Sequence, residues 1–142
     1  MLRPATPADA PACAAILGHF FERTPWLPRL HTPAEDQAFL AHLIAEADVT
    51  IADADGVQGY SATRGTDLDH LYLAPSARRQ GIGTALLTRA KTGRDRLRLW
   101  CFQQNIPALA FYAAQGFTEI GRTDGQDNEE RLPDIQLEWR AA

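Results

Sequence analysis

The stretch LYLAPSARRQGIGTALL, from Leu71 to Leu87, decides the fold of this chain. An apolar, strand-like segment ends at Pro75, two arginines and two glycines follow, and apolar residues then recur at helical spacing. A strand that turns through glycines into a helix brings backbone N–H groups and the positive end of the helix dipole to one point. We therefore expect an anion to bind at the mouth of this helix.

Composition limits the class of protein. The 142 residues fit one domain, 1–142, and the net charge of -4 argues against a nucleic-acid partner. No apolar run is long enough to span a bilayer, and the first residues lack the order of a signal peptide, so we expect a cytoplasmic protein without a membrane partner. Cys13 and Cys101 lie far apart without a CxxC pattern, which favours buried thiols in a reducing compartment and no metal site.

Helix and strand signals alternate along the chain. Thr6 with Pro7, and Thr32 with Glu35, are typical of helix N-termini, and two more helices are predicted after Gly81 and after Pro107. Asp55-Gly56 predicts a hairpin, and five further segments have strand character: the first residues, 66–74, 95–102, 117–125 and 132–140. These elements predict an α/β fold, a mixed sheet covered by helices.

The glycine turn matches neither common nucleotide pattern. The Walker pattern needs a lysine that is absent here, and GxGxxG is also absent. The pattern present is Arg78-x-x-Gly81-x-Gly83, which resembles the pyrophosphate loop of the GNAT (Gcn5-related N-acetyltransferase) superfamily. The later segment NIPALAFYAAQGF resembles the second signature of that family, through Asn105, Ala108, Tyr112, Gly116 and Phe117.

The resemblance extends over essentially the whole chain. It implies a mixed, mostly antiparallel central sheet of six to seven strands flanked by about four helices. It also implies an acetyl-CoA-dependent N-acetyltransferase in which an amine attacks the thioester directly, without a covalent enzyme intermediate.

The resemblance implies where acetyl-CoA binds. The pantetheine arm would pair with the strand edge Leu71-Tyr72-Leu73, the Leu73 N–H would polarise the thioester carbonyl, and Asn105 would contact the arm. The pyrophosphate would lie at the helix mouth, where the side chains of Arg78 and Arg79 would add positive charge. Its backbone donors would be the amides of Arg79, Gln80, Gly81, Ile82, Gly83 and Thr84.

Two proton transfers are implied. Tyr112 is the expected acid for the departing thiolate. If strand alternation holds, Asp67 and Asp69 share a face with the pantetheine edge, which makes Asp69 and then Asp67 the candidate bases, acting through a water. His70 would point away unless a bulge intervenes. Cys101 has no activating neighbour in sequence, so we do not expect it to act as a nucleophile.

The acceptor amine is not identified by the sequence. The connection between the first two helices would wall the acceptor site through Glu22, Trp26 and His31, although Trp26 could instead fill the core. Glu129 and Glu130, in an acidic loop before the last strand, could attract a cationic acceptor or form a polar turn. The acceptor is therefore either a small-molecule amine or a peptide amine, and a homodimer stays open. Two alternative functions also stay open: a non-catalytic acyl-CoA sensor and an enzyme that transfers a longer acyl group.

Overall fold

The computed structural model describes residues 1–77 and 80–142, so the predicted contribution of Arg78 and Arg79 to an anion site lies outside the described residues. Seven strands and four α-helices occur in the described part of the chain. In chain order they are β1 (Leu2–Pro4), α1 (Ala10–Glu22), α2 (Pro33–Glu46), β2 (Asp48–Asp53), β3 (Val57–Arg64), β4 (Asp67–Leu73), α3 (Ile82–Lys91), β5 (Arg96–Phe102), α4 (Ile106–Ala114), β6 (Thr118–Thr123) and β7 (Asp134–Arg140).

The helix N-termini follow their sequence signals. Thr32 begins α2 as its N-cap, with its side chain accepting from the Glu35 N–H at 3.2 Å and the Glu35 carboxylate accepting from the Thr32 N–H at 2.9 Å. At the first helix, a short 3-10 turn, Pro7–Asp9, precedes α1. The Asp9 carboxylate accepts from the Thr6 N–H at 2.8 Å and pairs with Arg3 of β1 at 2.9 Å. The turn before α1 is therefore held to β1.

The chain forms two compact units, residues 1–90 and 91–142. In the first unit, β1 to β4 pair in chain order, each antiparallel to the next. The predicted hairpin at Asp55-Gly56 is confirmed: both residues have positive φ, 54° and 117°. Helices α1 and α2 cover one face of these strands, and the core between them is closed by residues that include Cys13, Ile16, Leu17, Leu40, Leu43, Ile51 and Tyr60.

In the second unit, β7 pairs antiparallel with β5 on one side and with β6 on the other. Burial alternates along β5, because Leu97, Leu99 and Cys101 are buried whereas Trp100 is exposed. On the opposite face, Glu138 of β7 is buried between two guanidinium groups, those of Arg98 and Arg140, at 2.7 and 2.6 Å. This pairing lowers the pKa of the Glu138 carboxyl and offsets its desolvation.

Candidate active site

Strand β4 presents a backbone edge away from its partner β3. The Ala74 N–H, just beyond the strand, donates to the Gln58 carbonyl of β3 at 2.8 Å. Because successive N–H groups of a strand point to opposite sides, the Leu73 N–H is directed away from β3. The described geometry therefore suits the predicted use of this N–H as a donor to a bound carbonyl oxygen.

Gly59 fixes the approach of β3 to this edge. It lies opposite Leu73 in the β3–β4 register. A Cβ at Gly59 would lie 2.7 Å from the Leu73 side chain and 3.0 Å from the Tyr72 carbonyl oxygen. A larger residue would displace the Leu73 side chain and crowd the Tyr72 carbonyl, so Gly59 allows the observed packing of Leu73, a role that the sequence analysis missed.

The expected alternation of β4 is wrong, because the strand contains a bulge. His70 lies opposite Ala62, but Leu68 lies opposite Thr63, which leaves Asp69 as an extra residue in the register. Directly opposed residues share a face, so Leu68 rather than Asp67 lies on the face of the predicted pantetheine edge.

The two candidate bases consequently lie in different surroundings. Asp67 opposes Arg64 and shares the face of His70. The Asp69 carboxylate pairs with the Arg64 Nε at 2.7 Å, at the exposed end of the strand. The structure therefore brings both carboxylates to one guanidinium, an arrangement that the sequence analysis did not predict.

His70 lies in an aromatic cluster beneath the first two helices. Its Nδ1 is 3.0 Å from the Tyr60 hydroxyl, and its ring contacts those of Phe39 and Tyr72 at 5.6 and 5.4 Å between centroids. Burial lowers the pKa of His70 to about 4 and raises that of Tyr60 well above its usual range, so both are neutral at physiological pH. The contact of the Tyr60 hydroxyl with Nδ1 leaves Nε2 as the ring nitrogen available to another partner.

The mouth of α3 has the geometry that an anion needs. Gly81 precedes the helix with a φ of +77°, and a Cβ added to it would meet no atom within 4 Å in residues 1–77 and 80–142 apart from its own chain neighbours. Its carbonyl accepts the first helical bond, from the Ala85 N–H at 3.0 Å. The first turn of a ten-residue helix therefore opens beside a backbone position with free space, which fits the diphosphate of acetyl-CoA.

Asn105 and Tyr112 belong to one helix in the second unit. Asn105 is the N-cap of α4, and its Oδ1 accepts from the Ala108 N–H at 3.3 Å. This capping role explains the Asn and Ala of the second signature independently of any ligand. Tyr112 is half-buried, with its ring 5.3 Å from that of Phe111 and 5.4 Å from that of Phe117.

The connection between α1 and α2 is held by an arginine that the sequence analysis missed. Arg29 donates to the Gly18 carbonyl at 3.2 Å and pairs with the buried Asp36 at 2.9 Å. Trp26 is half-buried, whereas its neighbour Leu27 fills the core. The predicted acceptor residues Glu22 and His31 are exposed, at the end of α1 and just before α2.

A pocket of about 400 Å³ lies within the second unit, against the outer face of its strands. Its aromatic wall is formed by Trp100 and Phe102, and its acidic side by Asp127, Glu130 and Asp134. Of the two predicted acidic residues, Glu130 lines this pocket, whereas Glu129 is exposed and does not. Sequence reasoning missed Trp100 and Asp134, although the exposed position of Trp100 in an alternating strand was a signal.

The described part of the chain offers no cluster of metal-ligand side chains and no membrane-spanning helix. No group of three or more His, Cys, Asp or Glu side chains there could hold a metal ion. No helix among the described residues has the length and apolarity to cross a membrane.

Comparison with known proteins shows the family and the fold. The family model of the acetyltransferase (GNAT) domain matches residues 38–119, a range that includes β4, the mouth of α3 and α4. Peptidyl-lysine N-acetyltransferase YiaC of Escherichia coli is 34% identical, over 98% of this chain and 96% of YiaC.

Solved structures match over the full chain. The solution structure of apo-form YjaB from Escherichia coli has a TM-score of 0.82 at 23% identity, over 100% of this chain and 98% of that chain. YncA of Salmonella typhimurium, solved with its cofactor acetyl-CoA, has a TM-score of 0.73 at 20% identity, over 100% and 96% of the two chains. The predicted fold class is confirmed, and the chain belongs to the GNAT family of acetyltransferases, enzymes that transfer an acetyl group from acetyl-CoA to an amine.

Proposed function

We propose that residues 1–142 act as a single N-acetyltransferase domain whose acceptor is the side-chain amine of a lysine in a protein or peptide. The name of YiaC supplies the acceptor class, and that relative aligns with 98% of this chain. The observation that carries the donor side of the proposal is the mouth of α3, where Gly81 has a φ of +77° and, among the described residues beyond its chain neighbours, no atom lies within 4 Å of an added Cβ. Acetyl-CoA supplies the activated acyl group as a thioester.

The backbone is proposed to bind and orient the donor. The amides from Gln80 to Thr84 would hold the diphosphate, with Arg78 and Arg79, which lie outside the described residues, adding charge as the family resemblance implies. The Leu73 N–H, directed away from β3, would donate to the thioester carbonyl oxygen and stabilise the charge that develops there. Leu71 and Tyr72 extend the same edge, and Asn105 would contact the pantetheine arm.

Tyr112 is proposed to give its phenol proton to the sulfur as the carbon–sulfur bond breaks. The amine must lose one proton before it attacks. Asp67 and Asp69 are the proposed acceptors of that proton, through a water. Asp69 stays the first candidate, because its ion pair with Arg64 involves Oδ2 and because Asp67 lies on the face opposite to Leu71 and Leu73.

Two segments, each considered by itself, are proposed to contact the acceptor. One is the connection after α1, with Glu22, Trp26 and His31, held in place by Arg29. The other is the loop with Glu129 and Glu130. An overall negative charge of -4 favours approach of a cationic acceptor.

The test is a turnover assay that measures CoA release with lysine peptides and with a panel of small amines. We expect release with lysine peptides, an acetyl-lysine product by mass spectrometry, and a strong loss in Tyr112→Phe. Release with small amines alone would reject the peptide acceptor. Acetyl-CoA binding without release on any amine would reject the enzyme in favour of a sensor.

A further inference from the structure

The pocket in residues 91–142 carries negative charge without a counter-cation. Its lining includes three carboxyl groups, those of Asp127, Glu130 and Asp134, and no Lys, Arg or His. Within the described residues, none of the ion pairs involves any of the three. Three carboxylates around about 400 Å³ repel one another unless a cation enters.

Asp134 is the buried carboxylate of the pocket. It is 9% exposed, and its described donors are neutral: the Thr123 hydroxyl and the Asn128 amide, the latter at 3.3 Å. The same Asn128 amide also donates to the Leu132 carbonyl at 2.7 Å, which fixes the loop around the carboxylate. Neutral donors offset only part of the cost of burying a charge, so a cationic ligand gains from this site.

Trp100 provides the complementary apolar surface. Its side chain is 53% exposed although it lies in the middle of β5, and together with Phe102 it forms one wall of the pocket. An exposed indole face beside carboxylates is the arrangement that binds a cation through both the ring and the charge. A guanidinium suits it better than an ammonium, because it is planar, stacks on aromatic rings and pairs with two carboxylate oxygens.

The attacking amine is a poor occupant for this pocket. Nearby carboxylates favour the charged form of an amine, whereas attack on the thioester requires the neutral form. A group that stays charged throughout the reaction avoids this conflict, and arginine is such a group. The pocket is also close in sequence to the helix that carries Tyr112. Asn105, the N-cap of that helix, comes three residues after Phe102.

We propose that this pocket binds an arginine side chain that flanks the acetylated lysine in the substrate, so that the enzyme selects lysines near an arginine. This inference rests on the proposed function, because it assumes a peptide acceptor. It assigns Trp100, Asp127, Glu130 and Asp134 as specificity-determining residues.

The experiment uses peptides with one lysine and one arginine, with the arginine placed in turn at each position on both sides of the lysine. Each has a partner in which citrulline replaces arginine, which removes the charge and keeps the shape. We expect kcat/KM to be about ten-fold higher for arginine than for citrulline at one or two positions, the size of one charge-assisted contact. Glu130→Gln and Asp127→Asn should reduce that ratio toward one.

Asp124→Asn is the matched control. It makes the same change of charge in the same loop, does not line the pocket, and keeps the oxygen that accepts from the Gln126 N–H at 3.1 Å. A ratio near one at every position in the wild type would overturn the inference, as would an equal fall of the ratio in Asp124→Asn. If no lysine peptide is acetylated, the proposed function fails. Calorimetry of the arginine and citrulline peptides with wild type and Glu130→Gln then tests, without turnover, whether the pocket prefers arginine.

Discussion

Gly81 allows a direct test of the donor site, because the structure separates its backbone strain from its steric surroundings. Its φ is +77°, yet in the part of the chain that the structure describes a Cβ there would meet nothing within 4 Å beyond the neighbouring residues in sequence. Gly81→Ala therefore introduces no clash, and its cost is that of holding an L-residue in the left-handed region, about 1–2 kcal/mol. If the free protein relaxes and binding must restore the turn, acetyl-CoA affinity falls by about 5–30-fold.

Gly93 is the matched control for this substitution. It has the same φ of +77° and the same empty surroundings, but it follows α3 instead of preceding it. Gly93→Ala should lower the melting temperature by about 3–6 °C, as 1–2 kcal/mol of strain in a chain of this size implies, and leave acetyl-CoA affinity unchanged.

The assay is isothermal titration of acetyl-CoA into wild type and both variants, with thermal unfolding measured in parallel. Gly81→Asn should recover part of the affinity, because asparagine tolerates the left-handed region better than alanine does. The reasoning is refuted if Gly81→Ala binds acetyl-CoA like the wild type, or if both glycine variants lose affinity equally.

Three other predictions concern groups elsewhere in the chain. Tyr112→Phe keeps the ring and removes the acid, so kcat should fall about 100-fold or more with little change in KM for acetyl-CoA, and an unaltered kcat in a CoA-release assay would exclude Tyr112 as the acid. The Arg3 guanidinium lowers the pKa of Asp9 to about 2, so Asp9→Asn should reduce the unfolding free energy by about 2 kcal/mol at pH 7. That loss should fade as pH falls from about 4 to about 2, where the Asp9 carboxylate of the wild type becomes protonated. Urea unfolding across this pH range checks the sign, and a difference that does not depend on pH would contradict the prediction. Burial raises the pKa of Cys13 to about 12 and that of Cys101 to about 11, so a thiol reagent at pH 8 should label neither thiol before unfolding, and rapid labelling with loss of activity would instead support a cysteine nucleophile.

Local signals predicted most of the elements. Thr32 and Glu35 predicted the start of α2, because a capping box satisfies backbone donors within one turn. Asp55-Gly56 predicted the first hairpin, because few residues adopt positive φ. Tyr112 and the glycine turn were found from motif spacing, which reflects the same local constraints. Their catalytic and binding roles stay predictions.

Long-range contacts decided what the sequence pattern could not. The order β5, β7, β6 places the last strand between two earlier ones, a result of pairing between residues far apart in the chain. The bulge at Asp69 reverses the faces of the residues before it, and a shift of one residue leaves no clear signal in a short strand of mixed polarity. The sequence also showed the acidic loop. It did not show that Glu130 lines the pocket whereas Glu129 is exposed.

The sequence by itself determined the helix mouth at Gly81 and the family to which the chain belongs, since backbone conformation at a glycine and the spacing of motif residues are local properties. Only the tertiary structure showed that a buried Asp134 and an exposed Trp100 meet in one pocket. The two residues come from different strands, and their proximity depends on strand register and on burial, which arise when the whole sheet forms.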